Sequence, residues 1–284
     1  MIYPKILLAA HNVRPKKQLG QNFLTEPTTA EMIVRRSGIL PEDVVLEIGA
    51  GLGALTIPVA RTVKKVYAVE KDRQVLDILK TQLLVNNLSN VVLMGEDILK
   101  IDIQALAENM RRKIVVMGNL PYNISSQVLV QLITSRSVVC RAVLMFQKEL
   151  AQRITAYPGC KAYGRLTVML RYCSDIKKIA DVKAALFFPK PKVDSEVLEF
   201  IFKSSPEISA HDETVLFKVV KAGFGNRRKT LKNALSASQL NIDSKTAAQL
   251  LQRSDIDPDR RAETLSIAEF VKLSNNLIES NSIR

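Results

Sequence analysis

The 284-residue sequence predicts an α/β protein: a mostly parallel seven-stranded sheet with helices on both faces, followed by a small all-helical domain. Three observations carry that prediction. From Asp43 onward, short β-branched runs alternate with longer segments of three-and-four apolar spacing, the pattern of a parallel sheet wrapped by helices. Past Phe202 the alternation gives way to consecutive helical runs. At 47% hydrophobic and 24% charged, the composition is that of a folded chain, long enough for one large core and a smaller appendage.

Taken in order, the strand candidates are "VVLEIG", "KVYAVE", "NVVLMG", "KIVVMGN" and "VVCRAVLMF", with amphipathic segments such as "DRQVLDILKTQLLVNN" between them. Two further runs, "SDIKKIADV" and "SEVLEFIF", flank the proline-punctuated loop "ALFFPKPKVDS" and add an antiparallel edge. After "KSSPEISA" come "DETVLFKVVKAGF", "RRKTLKNALSAS", "SKTAAQLLQRS" and "SIAEFVKLSNNLIES". The expected division is therefore 1–205 and 206–284, without internal repeats. The N-terminal "MIYPKILLAAHNV" is assigned no role.

The net charge of +13 and pI near 9.7 favour a polyanionic partner, nucleic acid first. From Lys203 onward there are 13 Lys and Arg against 10 Asp and Glu, so +10 of the excess lies before that point. Cys140, Cys160 and Cys173 are widely spaced, with only His11 and His211 to join them, which predicts neither a metal site nor disulfides and fits a reducing compartment. No apolar run reaches the roughly 18 residues of a membrane span, and the first residues lack a long apolar leader. The expectation is a cytoplasmic monomer.

"VVLEIGAGLGALT" runs a strand into Gly49, Gly51 and Gly53 and then a helix, a turn that brings backbone amides close to a ligand. Glu70 ends the second strand, where a carboxylate can accept from both hydroxyls of an adenosine ribose. Asp97, after the third strand, is placed to reach an adenine amino group. These features leave NAD and S-adenosylmethionine both open as cofactor.

The fourth strand discriminates. In "GNLPYNIS" an amide, a leucine, a proline and an aromatic ring follow one another at a strand end. The exocyclic amine of adenine is a poor nucleophile because its lone pair is delocalised into the ring. Two acceptors, the Asn119 side-chain oxygen and the Leu120 carbonyl, can draw that pair back onto nitrogen. Pro121 stiffens the turn, and Tyr122 offers a stacking face that tolerates a growing positive charge. A plainer reading makes Asn119 a helix cap and Tyr122 core.

"QLGQNFL", "LEIGAGLGALT", "GNLPYNIS", "FQKELAQRI", "FFPKPKVDS", "FGNRRKTLKN" and "RAETLSIAEF" together resemble the ribosomal RNA small-subunit adenine dimethyltransferase family, from about Arg14 to about Asn276. The resemblance implies a Rossmann-like S-adenosylmethionine-dependent methyltransferase fold. It also implies an enzyme that dimethylates N6 of two adjacent adenosines in the 3′-terminal hairpin loop of 16S-type rRNA, within a 30S-type pre-ribosomal particle. A further role in ribosome assembly goes with it. Carried onto this chain, the cofactor contacts are Asn22, Leu24, Gly49, Gly51, Glu70, Asp97 and Asn119. The base-handling residues are Asn119, Leu120, Pro121, Tyr122 and Phe188, the last as a second wall facing Tyr122 across a flipped adenine. Arg14, Lys16, Lys17, Arg227, Arg228, Lys229, Lys232, Arg260 and Arg261 are implied phosphate contacts. Read without the resemblance, "QNFL" is only a loop leading to a helix cap at Thr25 or Thr28.

One departure is "GAG" where many relatives carry proline in the middle. A related large-subunit enzyme type typically has isoleucine after the asparagine, so Leu120 and the long helical tail favour the small subunit. The remaining alternatives are an RNA-binding assembly factor without turnover and a nicotinamide dehydrogenase, which leaves "NLPY" and the positive charge unexplained.

Overall fold

The structure, a computed structural model, describes residues 3–110 and 112–282. They fall into two compact units, 3–110 and 112–151 with 175–203, and 152–174 with 204–282.

In the first unit α1 (Pro4–Ala10), β1 (Phe23–Leu24) and α2 (Pro27–Ser37) lead into the alternating series. That series is β2 (Val44–Ile48), α3 (Thr56–Ala60), β3 (Lys65–Val69), α4 (Arg73–Val85), β4 (Val91–Met94), α5 (Ile103–Met110), β5 (Ile114–Asn119), α6 (Ser125–Thr134) and β6 (Val139–Gln147). After α7 (Lys148–Ile154) and α8 (Arg165–Cys173), the chain adds β7 (Ser174–Val182), β8 (Phe187–Phe188) and β9 (Ser195–Phe202). The seven-stranded sheet runs β4-β3-β2-β5-β6-β9-β7; β4, β3, β2, β5 and β6 are parallel, and β9 joins β6 antiparallel. The order reverses between β2 and β5, and ligands of open α/β sheets bind outside the strand ends at such a point.

Sequence explains most of this locally. All five residues of β2 are buried, as both-face coverage of a parallel strand requires, and Glu47 is the one ionisable residue among them. Asp72 caps α4, its side chain accepting from the Gln74 N–H at 3.2 Å. Gly118 permits a close strand approach: a Cβ there would lie 2.4 Å from the Ile48 carbonyl oxygen.

Three sequence expectations change. The "FFPKP" segment is not only a loop, because β8 pairs antiparallel with β1, Phe23 opposite Phe188 and Leu24 opposite Phe187. The N-terminal segment forms α1, whose Leu7 and Leu8 pack in an apolar cluster with Val13, Phe23, Leu52, Val75 and Ile78. The cap of α2 is Glu26, ahead of Pro27, rather than Thr25 or Thr28.

The second unit comprises α8, α9 (Glu213–Phe224), α10 (Leu231–Ser236), α11 (Ser244–Arg253) and α12 (Ile267–Ser282), with Asp212 and Asp243 capping α9 and α11. Residues 152–174 belong to it although they precede the compositional change at 206, because Tyr163 and Tyr172 pack edge-on against Phe224 and Phe217 of α9. With them the unit carries 16 Lys and Arg against 10 Asp and Glu, a net +6, leaving +7 for the first. Among the described residues no helix is long and apolar enough to cross a membrane.

Candidate active site

A cleft enclosing about 1310 Å³ of empty space, open mouth included, lies at the carboxyl ends of β2, β3 and β5. Its wall includes Gly49 and Gly51, Glu70, Asp97, Asn119 through Tyr122, and the strap 18–24; Pro4 and Leu7 of α1 line it as well, a contribution invisible in the sequence pattern.

The glycine turn is tied to β3. Gly49 and Ala50 donate to the Val69 carbonyl at 2.9 and 3.1 Å, and the Gly51 N–H donates to Glu70 Oε2 at 3.0 Å. Positive φ at Gly49 (74°) and Gly51 (55°) makes that path open to glycine. Glu70 Oε1 accepts from the Asp72 N–H at 2.9 Å, so two backbone donors fix the carboxylate. Burial nevertheless pushes the Glu70 carboxyl above its ordinary value, outweighing those bonds. Asp97 is held below its ordinary value, chiefly by the Lys71 ammonium 2.8 Å from Oδ2.

Asn119 ends β5 half-buried, and its Nδ2 donates to the Asn22 carbonyl at 3.0 Å. Its amide orientation follows, since only the nitrogen end can face a carbonyl, and Oδ1 is directed elsewhere. The helix after it is capped at Ile124, so the cap reading of Asn119 is not realised. Leu120 is buried and its N–H donates to the Met145 carbonyl at 3.3 Å; among the described residues none donates to its own carbonyl. The Pro121 carbonyl accepts from the Ile124 N–H and the Ser125 hydroxyl at 3.2 and 3.0 Å, holding the turn. Tyr122 is half-buried on the cleft wall, and desolvation raises its phenol.

The strap 16–24 is anchored twice. Asp72, buried, accepts from Lys16 Nζ at 2.8 Å and Gln21 Nε2 at 2.9 Å, while Asn123 Nδ2 donates to the Gln18 carbonyl at 3.4 Å. Asn22 Nδ2 donates to the Gly20 carbonyl, and Leu24 is buried in the core. Phe188 is half-buried against the apolar cluster of α1 rather than on the cleft wall with Tyr122.

The expected basic contacts divide into two kinds. Arg14, Lys17, Arg228, Lys229 and Arg261 are exposed, and Lys232 is partly so. Lys16 is engaged by Asp72, Arg260 forms an ion pair with Glu269, and Arg227 donates to the carbonyls of Lys161 and Tyr163 at 2.6 and 3.0 Å. Sequence reading also passed over Glu47, a cleft residue with an unpartnered, buried Oε2; burial, reinforced by Glu70, pushes its carboxyl up to about 8 despite the nearby Thr56 hydroxyl. An acid inside the apolar run "VVLEIG" was the available signal. Among the described residues there is no group of three or more His, Cys, Asp or Glu able to hold a metal.

Comparison with known proteins bears directly on this geometry. The family model for ribosomal RNA adenine dimethylase matches residues 12–279. The ribosomal RNA small subunit methyltransferase A of Desulforapulum autotrophicum is 52% identical over 277 residues, covering 98% of this chain and 97% of its own. A dimethyladenosine transferase from Plasmodium falciparum superposes with a TM-score of 0.77 at 28% identity, covering 92% of this chain and 98% of its own. The 23S rRNA methyltransferase ErmE shares the fold, at 21% identity and a TM-score of 0.67 over 90% of this chain and 99% of its own. With the family model matching nearly the whole chain and the cleft lying at the switch point of its sheet, the chain is an enzyme of the ribosomal RNA adenine dimethylase family.

Proposed function

We propose that the chain transfers methyl groups from S-adenosylmethionine to N6 of two adjacent adenosines in the 3′-terminal hairpin loop of small-subunit rRNA. When bound, the cofactor supplies an activated methyl group on sulfur. The residues of the cleft suit it. Glu70 is fixed by two backbone N–H groups with lone pairs left for ribose hydroxyls, and Asp97 stays ionised beside it for an exocyclic amine. Gly49 and the strap residues Asn22 and Leu24 complete that wall.

The observation that carries the reading is the orientation of Asn119. With Nδ2 engaged by the Asn22 carbonyl, Oδ1 is left to accept one N6 hydrogen of adenine and the Leu120 carbonyl to accept the other. Two acceptors favour a pyramidal nitrogen whose lone pair is available for attack, and Pro121 keeps them in register. Tyr122 stacks on the extruded base and steadies the positive charge that forms on nitrogen; Phe188, packed outside the cleft wall, is the candidate for the other face of the base. The proton then leaves N6 to water, so no side chain serves as general base.

Exposed Arg14 and Lys17 of the first unit and Arg228, Lys229 and Arg261 of the second bind RNA phosphates, and these cations support a role in particle assembly. The similarity to small subunit methyltransferase A supports the small-subunit target over the large. Mass spectrometry of rRNA fragments, after incubating unmodified small subunits with the enzyme and S-adenosylmethionine, reads target position and methyl count together. Two dimethyladenosines side by side are expected; methylation confined to large-subunit rRNA, or none, overturns the reading.

A further inference from the structure

Residues 152–174 contain Arg153, Lys161, Arg165 and Arg171 and no acidic side chain, and residues 214–242 contain six Lys and Arg and again no acid. Contacts within the second unit bring these stretches together. The Arg227 guanidinium donates to the carbonyls of Lys161 and Tyr163, which joins the two, while the Gly159 N–H donates to the carbonyl of Glu263, in a third segment, at 2.7 Å. The fully buried Tyr163 anchors the loop from below against Phe224. The loop between α7 and α8 is thus pinned on both sides of its tip.

Tyr157 stands on that loop, 67% exposed. Arg171 lies over its ring, 4.4 Å from guanidinium carbon to ring centroid, and is itself held by donating Nη1 to the Ala156 carbonyl at 3.0 Å. The ring is therefore held in place yet left largely in solvent, an arrangement that forgoes the burial an aromatic side chain ordinarily gains. A single flat ring among cations, with no acids in either stretch, suits a partner that is both polyanionic and aromatic. A protein partner would instead call for a broader apolar patch.

We infer that Tyr157, backed by Arg171, is a stacking platform for an unpaired base of the substrate RNA, with Lys161, Arg165, Arg228 and Lys229 taking the flanking phosphates. The inference rests on the rRNA-methylating reading and adds a base contact made by residues that do not line the cleft. Stacking on such a ring is worth about 1–3 kcal/mol per base, so loss of the ring weakens RNA binding roughly 5- to 150-fold.

The test compares the full chain with Tyr157→Ala and Tyr157→Phe in two assays, binding to naked unmodified small-subunit rRNA and steady-state methyl transfer, with thermal melting as a check on folding. Tyr157→Ala is expected to weaken rRNA binding and raise KM for RNA about 10-fold at unchanged kcat and cofactor affinity, and Tyr157→Phe to behave as wild type. Wild-type RNA affinity in Tyr157→Ala overturns the platform, as does weakening on intact particles but not on naked rRNA, which points to a ribosomal protein. Because binding is measured without turnover, a chain that binds rRNA through Tyr157 but transfers no methyl group refutes the proposed reaction and leaves the platform standing.

Discussion

The Asn119 side-chain nitrogen donates to the Asn22 backbone carbonyl at 3.0 Å, joining the end of β5 to the strap that precedes β1. One bond links the strap backbone to the side chain proposed to receive the base, so the position of the strap and the direction of Asn119 Oδ1 are set together. Asn119→Ala should lower kcat by about 10²–10³, the usual cost of deleting one positioned polar group at a reacting centre. Asn119→Asp should be nearly as impaired, because a carboxylate has no donor for Asn22. Single-turnover transfer to unmethylated rRNA measures both, and undiminished transfer by either variant contradicts the acceptor role.

Asp72 secures the other side of the strap through Lys16 and Gln21. Asp72→Asn keeps a cap for α4 but removes the ion pair, and the Kd for S-adenosylmethionine should rise about 10-fold with faster proteolysis at Lys16 and Lys17. Burial pulls this carboxyl upward, yet the Lys16 and Gln21 contacts prevail and hold it below its ordinary 3.8. A depressed value means that the stabilisation is complete above the unfolded pKa and is lost only as pH falls through the folded one. The Asp72→Asn effect on melting temperature should accordingly be flat from neutrality down to about pH 4 and shrink in stronger acid.

Glu47 predicts the opposite dependence. Its carboxyl rises from 4.5 to about 8, so wild-type stability is complete below the unfolded value and declines as pH climbs from 4.5 to 8. Glu47→Gln, which stays neutral, should match wild type near pH 4.5 and melt at a higher temperature by pH 8. Parallel melting curves across that range would show that Glu47 is not buried as a free acid.

Phe188 pairs with Phe23 and packs on the cluster beneath α1. Phe188→Ala should cost about 1–3 kcal/mol of stability through lost packing, in addition to weakened transfer. Phe188→Leu separates the two effects: stability should return while transfer stays low if the ring stacks on the base. Full recovery of transfer in the leucine variant assigns Phe188 to packing alone.

Arg227 and Arg228 are neighbours with different work. Arg227→Ala breaks two bonds to the 155–164 loop and should lower the melting temperature. Arg228→Ala should leave it unchanged and reduce the salt slope of rRNA binding by about one. Equal melting shifts in the two variants would contradict this division.

The alternating strands, the antiparallel edge, and the placing of the glycine turn, Glu70, Asp97 and the "NLPY" strand end on one cleft wall were all legible in the sequence. Each is written in local terms: period, chain punctuation, and chemistry at a strand end. What was not legible depends on partners distant in the chain. The β1 to β8 pairing is two residues long and carries no periodicity. α1 reads as an unremarkable apolar patch until Leu7 and Leu8 meet Val75 and Ile78. The same holds for residues 152–174, drawn into the helical unit by Tyr163 and Tyr172, and for Arg227, a generic cation in sequence and a loop pin in space. Sequence alone determined the fold class and the residue types at the cleft, because backbone preference and burial pattern act over a few residues. Only the tertiary structure decided which cations are spent on internal carbonyls and acids and which way the Asn119 amide faces, because a hydrogen bond has a direction that composition does not record.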